Sequence, residues 1–190
     1  LRRSRGLGDV YKRQVQGGVK LKGELHPQGA KNEALQVLCA VLLTPEEVVM
    51  ENVPNIRDVN ILIDLLRDLN VKVNQIDRET YSFKADEVNV DYLSSDDYKS
   101  KSSRIRGSIM IVGPLLSRYG KGYIPRPGGD KIGRRRVDTH FIGFEKLGAK
   151  FVYDSKEEFY RVTSDELKGT YMLLDEASVT GTANIVMTAV

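Results

Sequence analysis

The sequence predicts an α/β protein assembled from repeated α-β-α-β-β units, and three observations carry that prediction. Helical stripes alternate with short segments of period two along the chain. The stretch LNVKVNQIDRETYSFKADEV, from Leu69 to Val88, resembles LGAKFVYDSKEEFYRVTSDEL, from Leu147 to Leu167, with one extra residue in the second copy. A third copy opens at SVTGTANIVMTAV, from Ser178 to Val190, where the sequence stops in mid-helix. The unit recurs at about eighty residues, longer than the usual solenoid periods of about 20–50, which favours duplicated modules around shared cores. Two units and the start of a third are present, so the chain reads as a fragment.

Each element has its own signal. VKLKGEL, Val19 to Leu25, alternates like a strand and is broken by Pro27 to Ala30. KNEALQVLCAVLL, Lys31 to Leu43, reads as a helix that ends at Thr44-Pro45. EVVMENV, Glu47 to Val53, is strand-like. Arg57 to Leu69 places Val59, Ile61, Leu62, Leu65, Leu66 and Leu69 on one helical stripe. Val71 to Ala85 reads as two strands joined by a short turn. In the second copy, RIRGSIMIVGPLLSRYG (Arg104 to Gly120) parallels the first helix. VDTHFIGFEKLG (Val137 to Gly148) parallels the second, with Val137, Phe141, Phe144 and Leu147 as core positions.

Composition narrows the class. Of 190 residues, 41% are hydrophobic and 29% charged, as in soluble globular proteins. The longest apolar run, Val37 to Leu43, is too short to cross a bilayer, and no secretory leader is evident. A single cysteine, Cys39, lies in that run and is expected to be a buried structural thiol. One cysteine and two histidines give little material for a metal site, and a reducing cytoplasm fits best. The net charge of +3 comes from residues 1–14, where five cations face one anion; without that +4 the remainder carries −1. These residues read as a non-native or disordered basic tail, and DVYKRQ resembles a translated library adapter. No nucleic-acid surface is expected.

Four stretches could carry chemistry. Gly29-Ala30-Lys31-Asn32 enters a helix: the glycine allows close backbone approach, and the free N–H groups with Lys31 suit a phosphate or carboxylate. A solvated lysine on a first helical turn fits equally. Arg106, before an apolar helix, could clamp an oxyanion with its planar fork or simply sit on the surface. PRPGGDKIGRRRVDTH, Pro125 to His140, sets Asp130 between a glycine pair and three arginines. Asp138 reads as a helix cap or a ligand acceptor. Neighbouring arginines would lower the Asp130 pKa and burial would raise it. DEASVTGTAN, Asp175 to Asn184, offers backbone N–H groups at a helix start, or merely a cap by Ser178 or Thr180. Neither nucleotide-binding fingerprint, G-x-x-x-x-G-K-[ST] or G-x-G-x-x-G, is present.

In order along Val15 to Val190, VQGGVKLKGEL, GAKNEAL, ENVPNIRDV, GPLLSRYGKG, PGGDKIGRRRVDTH, LGAK and ASVTGTAN resemble the enolpyruvyl transferases, in particular the nucleotide-sugar branch. The shikimate branch typically has a serine-rich stretch in place of GAKN. The resemblance implies an inside-out α/β barrel domain of repeated units, truncated here. Residues 15–29 would be a strand region belonging with a missing second domain, and 30–190 most of the first. It implies transfer of the enolpyruvyl group of phosphoenolpyruvate to the 3-hydroxyl of UDP-N-acetylglucosamine, the first committed step of peptidoglycan synthesis, with neither metal nor cofactor and no membrane partner.

By the same resemblance Asp130 takes the proton-donor position, where many members have cysteine. Lys31 and Asn32 match the phosphoenolpyruvate-binding pair, and Arg135 faces both ligands. Arg106, Val137, Asp138, Ser178 and Val179 match positions lining the sugar-nucleotide site; His140, by its place on the first turn after Asp138 rather than by the resemblance, is at best a secondary site residue. Arg136 and Thr139 depart from the family pattern, which commonly has proline and leucine there. The base for the sugar hydroxyl would lie in the missing half, so the fragment alone is expected to be inactive. A binding paralogue without turnover and the shikimate-branch enzyme are the competing readings.

Overall fold

The computed structural model describes residues 17–124, 137–156 and 159–190. Helix α1 (Lys31–Ala40) runs into a 3-10 turn at Val41–Leu43 and is followed by strand β1 (Glu47–Met50). Helix α2 (Arg57–Asp68) and strands β2 (Lys72–Gln75) and β3 (Tyr81–Lys84) complete the first unit. A 3-10 turn at Val90–Ser94 and the short helix α3 (Asp96–Ser102) lead to the second unit. That unit opens as a 3-10 turn, Arg106–Ile111, continuing into α4 (Val112–Tyr119). Strand β4 (Lys121–Ile124), helix α5 (Asp138–Lys146) and strands β5 (Lys150–Asp154) and β6 (Phe159–Thr163) follow, and α6 (Val179–Ala189) begins the third.

The duplication reaches the level of strand register. Each unit forms a three-stranded antiparallel sheet whose last strand lies in the middle, in the orders β1-β3-β2 and β4-β6-β5. Phe83 stands between Val48 and Val73, and Val162 between Gly122 and Phe151. Both central residues are completely buried. Helices α2 and α5 also end alike. Asn70 donates to the Arg67 carbonyl and Val71 to that of Leu66; Gly148 and Ala149 repeat these bonds to Glu145 and Phe144. Asn70 and Gly148 take positive φ angles of 66° and 102°, which turns each helix into its strand. The similarity of LNV and LGA is therefore a matter of turn geometry.

Both units share one core. Leu38, Leu42, Leu62, Leu65, Leu66 and Phe83 from the first meet Met110, Ile111, Leu115 and Leu116 from the second. Full burial of a side chain of this size contributes about 1.5–3 kcal/mol, so these residues dominate the cohesion of the fold. Arg118 ties the units further, donating from Nη1 to the carbonyls of Leu42 (3.2 Å) and Ala85 (2.6 Å). Helix α6 packs against α4 and α5 through Gly113 and Gly143, where an added Cβ would collide with Asn184 and Ile185.

Several expectations need correction. Val19 to Leu25 forms no strand; Leu21 is 96% and Leu25 89% exposed. A strand needs a neighbour to satisfy its backbone, and among the described residues none pairs with this segment. Asp138 is not the cap of α5. Val137 occupies that position without a side-chain bond, and Asp138 is the first helical residue. Val137 and Phe141 are only partly buried, whereas Phe144 and Leu147 are core residues as expected. Ser178 does cap α6, its Oγ accepting from Gly181 N at 3.1 Å. Cys39 is buried, and burial pushes its thiol pKa up.

Candidate functional site

One cleft of about 820 Å³ lies where the beginnings of five elements converge. Lys31 and Asn32 open α1, Arg57 and Asp58 open α2, and Arg106 opens the 3-10 turn that feeds α4. Val137 is the residue before α5, and Ser178 and Val179 stand at the start of α6. The first N–H groups of a helix have no intrahelical partner and carry a partial positive charge. Several such ends around one space, with Lys31, Arg57, Arg104 and Arg106 among the lining residues, make a surface suited to anions.

Six of the predicted site residues therefore line a single cleft: Lys31, Asn32, Arg106, Val137, Ser178 and Val179. Asp138 is one residue beyond Val137 and is not part of the lining. Asp130 and Arg135 lie outside the described residues. The glycine expected to let a ligand approach, Gly29, serves another purpose. It packs against the Asn52 carbonyl and the Pro54 ring, leaving no room for a Cβ, and so fixes how the chain enters α1.

The charges in the cleft are arranged in pairs and layers. Lys31 Nζ lies 3.0 Å from Asp58 Oδ2, linking the ends of α1 and α2. Both groups are well exposed, so the pair is weak and open to exchange for a ligand anion. Thr139 donates from Oγ1 to Glu176 Oε1 at 3.0 Å, which joins α5 to the segment before α6. His140 is 3% exposed. Burial, with a smaller contribution from the Arg106 charge, lowers its pKa from 6.5 to about 4, and the ring is neutral at pH 7.

Sequence reasoning missed Arg57, Asp58, Gln36, Arg104 and Glu176 in this lining, which also includes His140. A signal was available for some of them. Gln36 follows Asn32 by one helical turn and donates to its carbonyl at 2.9 Å. Arg57 opens α2 just as Asp138 opens α5, so the repeat itself pointed there. Among the described residues, no cluster of three or more His, Cys, Asp or Glu side chains could hold a metal ion, and no helix is long and apolar enough to cross a membrane.

Comparison with known proteins gives a consistent result. The sequence profile of the family described as EPSP synthase (3-phosphoshikimate 1-carboxyvinyltransferase) matches residues 15–190. UDP-N-acetylglucosamine 1-carboxyvinyltransferase of Bacteroides fragilis is 59% identical over 176 residues, which cover 93% of this chain and 41% of that protein. The enzymes of the same name from Porphyromonas gingivalis and Borreliella burgdorferi are 58% and 45% identical, again over 93% of the chain. The chain thus spans about 41% of the length of the B. fragilis relative. Among solved structures, the enolpyruvyl transferase NikO from Streptomyces tendae superposes with a TM-score of 0.73 at 17% identity, covering 90% of this chain and 39% of its own. An EPSP synthase from Acinetobacter baumannii gives 0.62 at 13%, covering 87% and 37%. The predicted fold class, an α/β enolpyruvyl transferase fold of repeated units, is the observed one. The chain belongs to the EPSP synthase (3-phosphoshikimate 1-carboxyvinyltransferase) family.

Proposed function

We propose that this chain forms part of an enzyme that transfers the enolpyruvyl group of phosphoenolpyruvate to the 3-hydroxyl of UDP-N-acetylglucosamine. The observation that carries the reading is the cleft, where helix N-termini and the cations Lys31, Arg57, Arg104 and Arg106 surround one space. Both substrates are phosphorylated anions, and the 58–59% identity to relatives named UDP-N-acetylglucosamine 1-carboxyvinyltransferase supports the sugar nucleotide as acceptor.

In this reading Lys31 and Asn32 hold phosphoenolpyruvate, and Lys31 exchanges its Asp58 partner for the ligand. Arg106, Val137, Asp138, Ser178 and Val179 receive the sugar nucleotide, and Arg135 contacts both ligands. Asp130 delivers a proton to the methylene carbon, making it a methyl group, while the sugar oxygen bonds to the adjacent carbon and gives up its own proton to a base supplied by the rest of the enzyme. A proton of that methyl group then passes to a base as the carbon–oxygen bond to phosphate breaks, which releases phosphate and restores the double bond. Cationic groups stabilise the phosphate and carboxylate throughout. Residues 30–190 constitute most of one domain, residues 15–29 pair with a second domain outside this chain, and the enzyme works in the cytoplasm on peptidoglycan precursors. The exposure of Val19 to Leu25, which pairs with no strand among the described residues, supports that division.

A second reading, transfer to shikimate 3-phosphate, is favoured by the description of the matching family. Phosphate release by the full-length protein, measured with each acceptor separately, distinguishes the two. Release with the sugar nucleotide alone, abolished in Asp130→Asn, is the expected result. Release only with shikimate 3-phosphate would replace the proposal, and release with neither would leave a ligand-binding paralogue.

A further inference from the structure

The mechanism above leaves unused a buried junction on the inner side of the cleft. Asn184 on α6 is completely buried and bonded on every side. Its Oδ1 accepts from Gly113 N at 2.9 Å, while Nδ2 donates to the Ile109 carbonyl at 2.9 Å and meets His140 Nδ1 at 3.0 Å. The two backbone partners remove any ambiguity in the amide. A backbone N–H can only donate and a carbonyl can only accept, so oxygen must face Gly113 and nitrogen must face Ile109. The second amide hydrogen is then aimed at His140 Nδ1, which has to be the acceptor.

We infer that Asn184 is a positioning residue that holds His140 as the neutral tautomer protonated on Nε2, so that the ring presents an N–H donor to the cleft. His140 is among the cleft residues, and among the described residues Nε2 has no protein partner. The surroundings keep the ring uncharged. Helix α6, Val179–Ala189, contributes no titratable side chain, the Phe144 ring lies 6.5 Å away on α5, and the charge that acts on His140 is the Arg106 guanidinium. On α5 itself Asp138 is two residues off, and Glu176 accepts a hydrogen bond from Thr139 rather than from the imidazole. A neutral N–H donor suits a ligand oxygen such as a carbonyl or phosphoryl oxygen, and it cannot act as a base on that side. The use of the donor on a ligand rests on the proposed function, whereas the tautomer does not.

Nitrogen-15 NMR of the histidine side chains in ligand-free, full-length protein tests this directly, with the His140→Gln variant supplying the assignment. At neutral pH the expected pattern is a protonated Nε2 and an unprotonated Nδ1. In Asn184→Asp a carboxylate oxygen replaces the amide donor and accepts from Nδ1–H, so the proton affinity of His140 should rise about tenfold or more. Protonation of Nδ1 in the wild type, or a mixture of tautomers, would overturn the inference. So would an Asn184→Asp variant that folds and leaves the ring signals unchanged. If that variant does not fold, the wild-type spectrum decides alone. No substrate is involved, so a failure of turnover would count against the proposed function and leave this result standing.

Discussion

Replacing Gly113 with alanine should destabilise the protein by about 1–5 kcal/mol, and the contributions can be worked out separately. Gly113 sits in the first turn of α4, pressed against α6. The new Cβ would stand 2.5 Å from the Asn184 carbonyl oxygen and 2.9 Å from Thr188 Oγ1, and closer still to Asn184 Oδ1. Two of these atoms belong to Asn184, which is completely buried and held by three bonds, so no flexible side chain can give way. Helix α6 must retreat, and overpacking of this kind costs about 1–3 kcal/mol. Retreat also stretches the bond from Gly113 N to Asn184 Oδ1, and leaving such buried groups unpaired costs about 1–3 kcal/mol. Against this, alanine restricts the unfolded chain and returns about 0.4–1 kcal/mol. The comparison variant is Gly169→Ala, where an added Cβ meets nothing within 4 Å. It should be neutral or slightly stabilising. Urea unfolding followed by circular dichroism compares the two midpoints. A Gly113→Ala midpoint at or above the wild-type value would refute the packing described for α4 and α6.

Other consequences are open to measurement. The pKa of His140 is about 4 when folded against 6.5 ordinarily, so as pH falls the unfolded chain takes up the proton first. Stability should be intact above pH 6.5 and decline between 6.5 and 4, by about 3 kcal/mol at most. His140→Gln should flatten that decline in a pH series of denaturant melts, and an unchanged slope would contradict it. Cys39, buried with a raised thiol pKa, should resist iodoacetamide at pH 8 until denaturant is added; rapid labelling of native protein would be inconsistent with its placement. The resemblance implies that Asp130 takes the place of a cysteine whose thiol fosfomycin alkylates in other members, and a carboxylate is a far poorer nucleophile. The full-length protein with Asp130 should therefore form no stoichiometric adduct by mass spectrometry.

The repeat was legible because its signals are local. Asn70 and Gly148 end their helices in left-handed conformations, and the strands that follow keep the same inward residues. Helix α2 showed its stripe plainly, although Ile63, 2% exposed, was not expected in the core. The segment Val19 to Leu25 shows what alternation lacks: a period of two says which face is apolar and nothing about which strand lies alongside. Helix α3, DDYKSKS, went unnoticed for the opposite reason. It has almost no apolar pattern, and the Ser95 side chain, accepting from Tyr98 N at 3.1 Å, marks its start. In the cleft, Lys31 and Arg106 were found, but Arg57 and Arg104 resemble solvated cations until the fold brings them together. Gly29 was read for the right property and the wrong neighbour, since close approach is needed by Asn52 and Pro54.

The convergence of element beginnings on one cleft has an evolutionary consequence. Helix α1, the 3-10 start of α4, and α6 occupy the same place in three successive units, and all three supply cleft residues. No single copy owns the cleft: the first unit gives the starts of α1 and α2, the second those of the 3-10 turn and α5, and the third that of α6. Each unit presents a different chemistry to it: lysine, asparagine, arginine and aspartate in the first, arginine and histidine in the second, serine and valine in the third. Transplanting one unit between relatives should therefore preserve the fold more readily than the ligand preference, which belongs to the set.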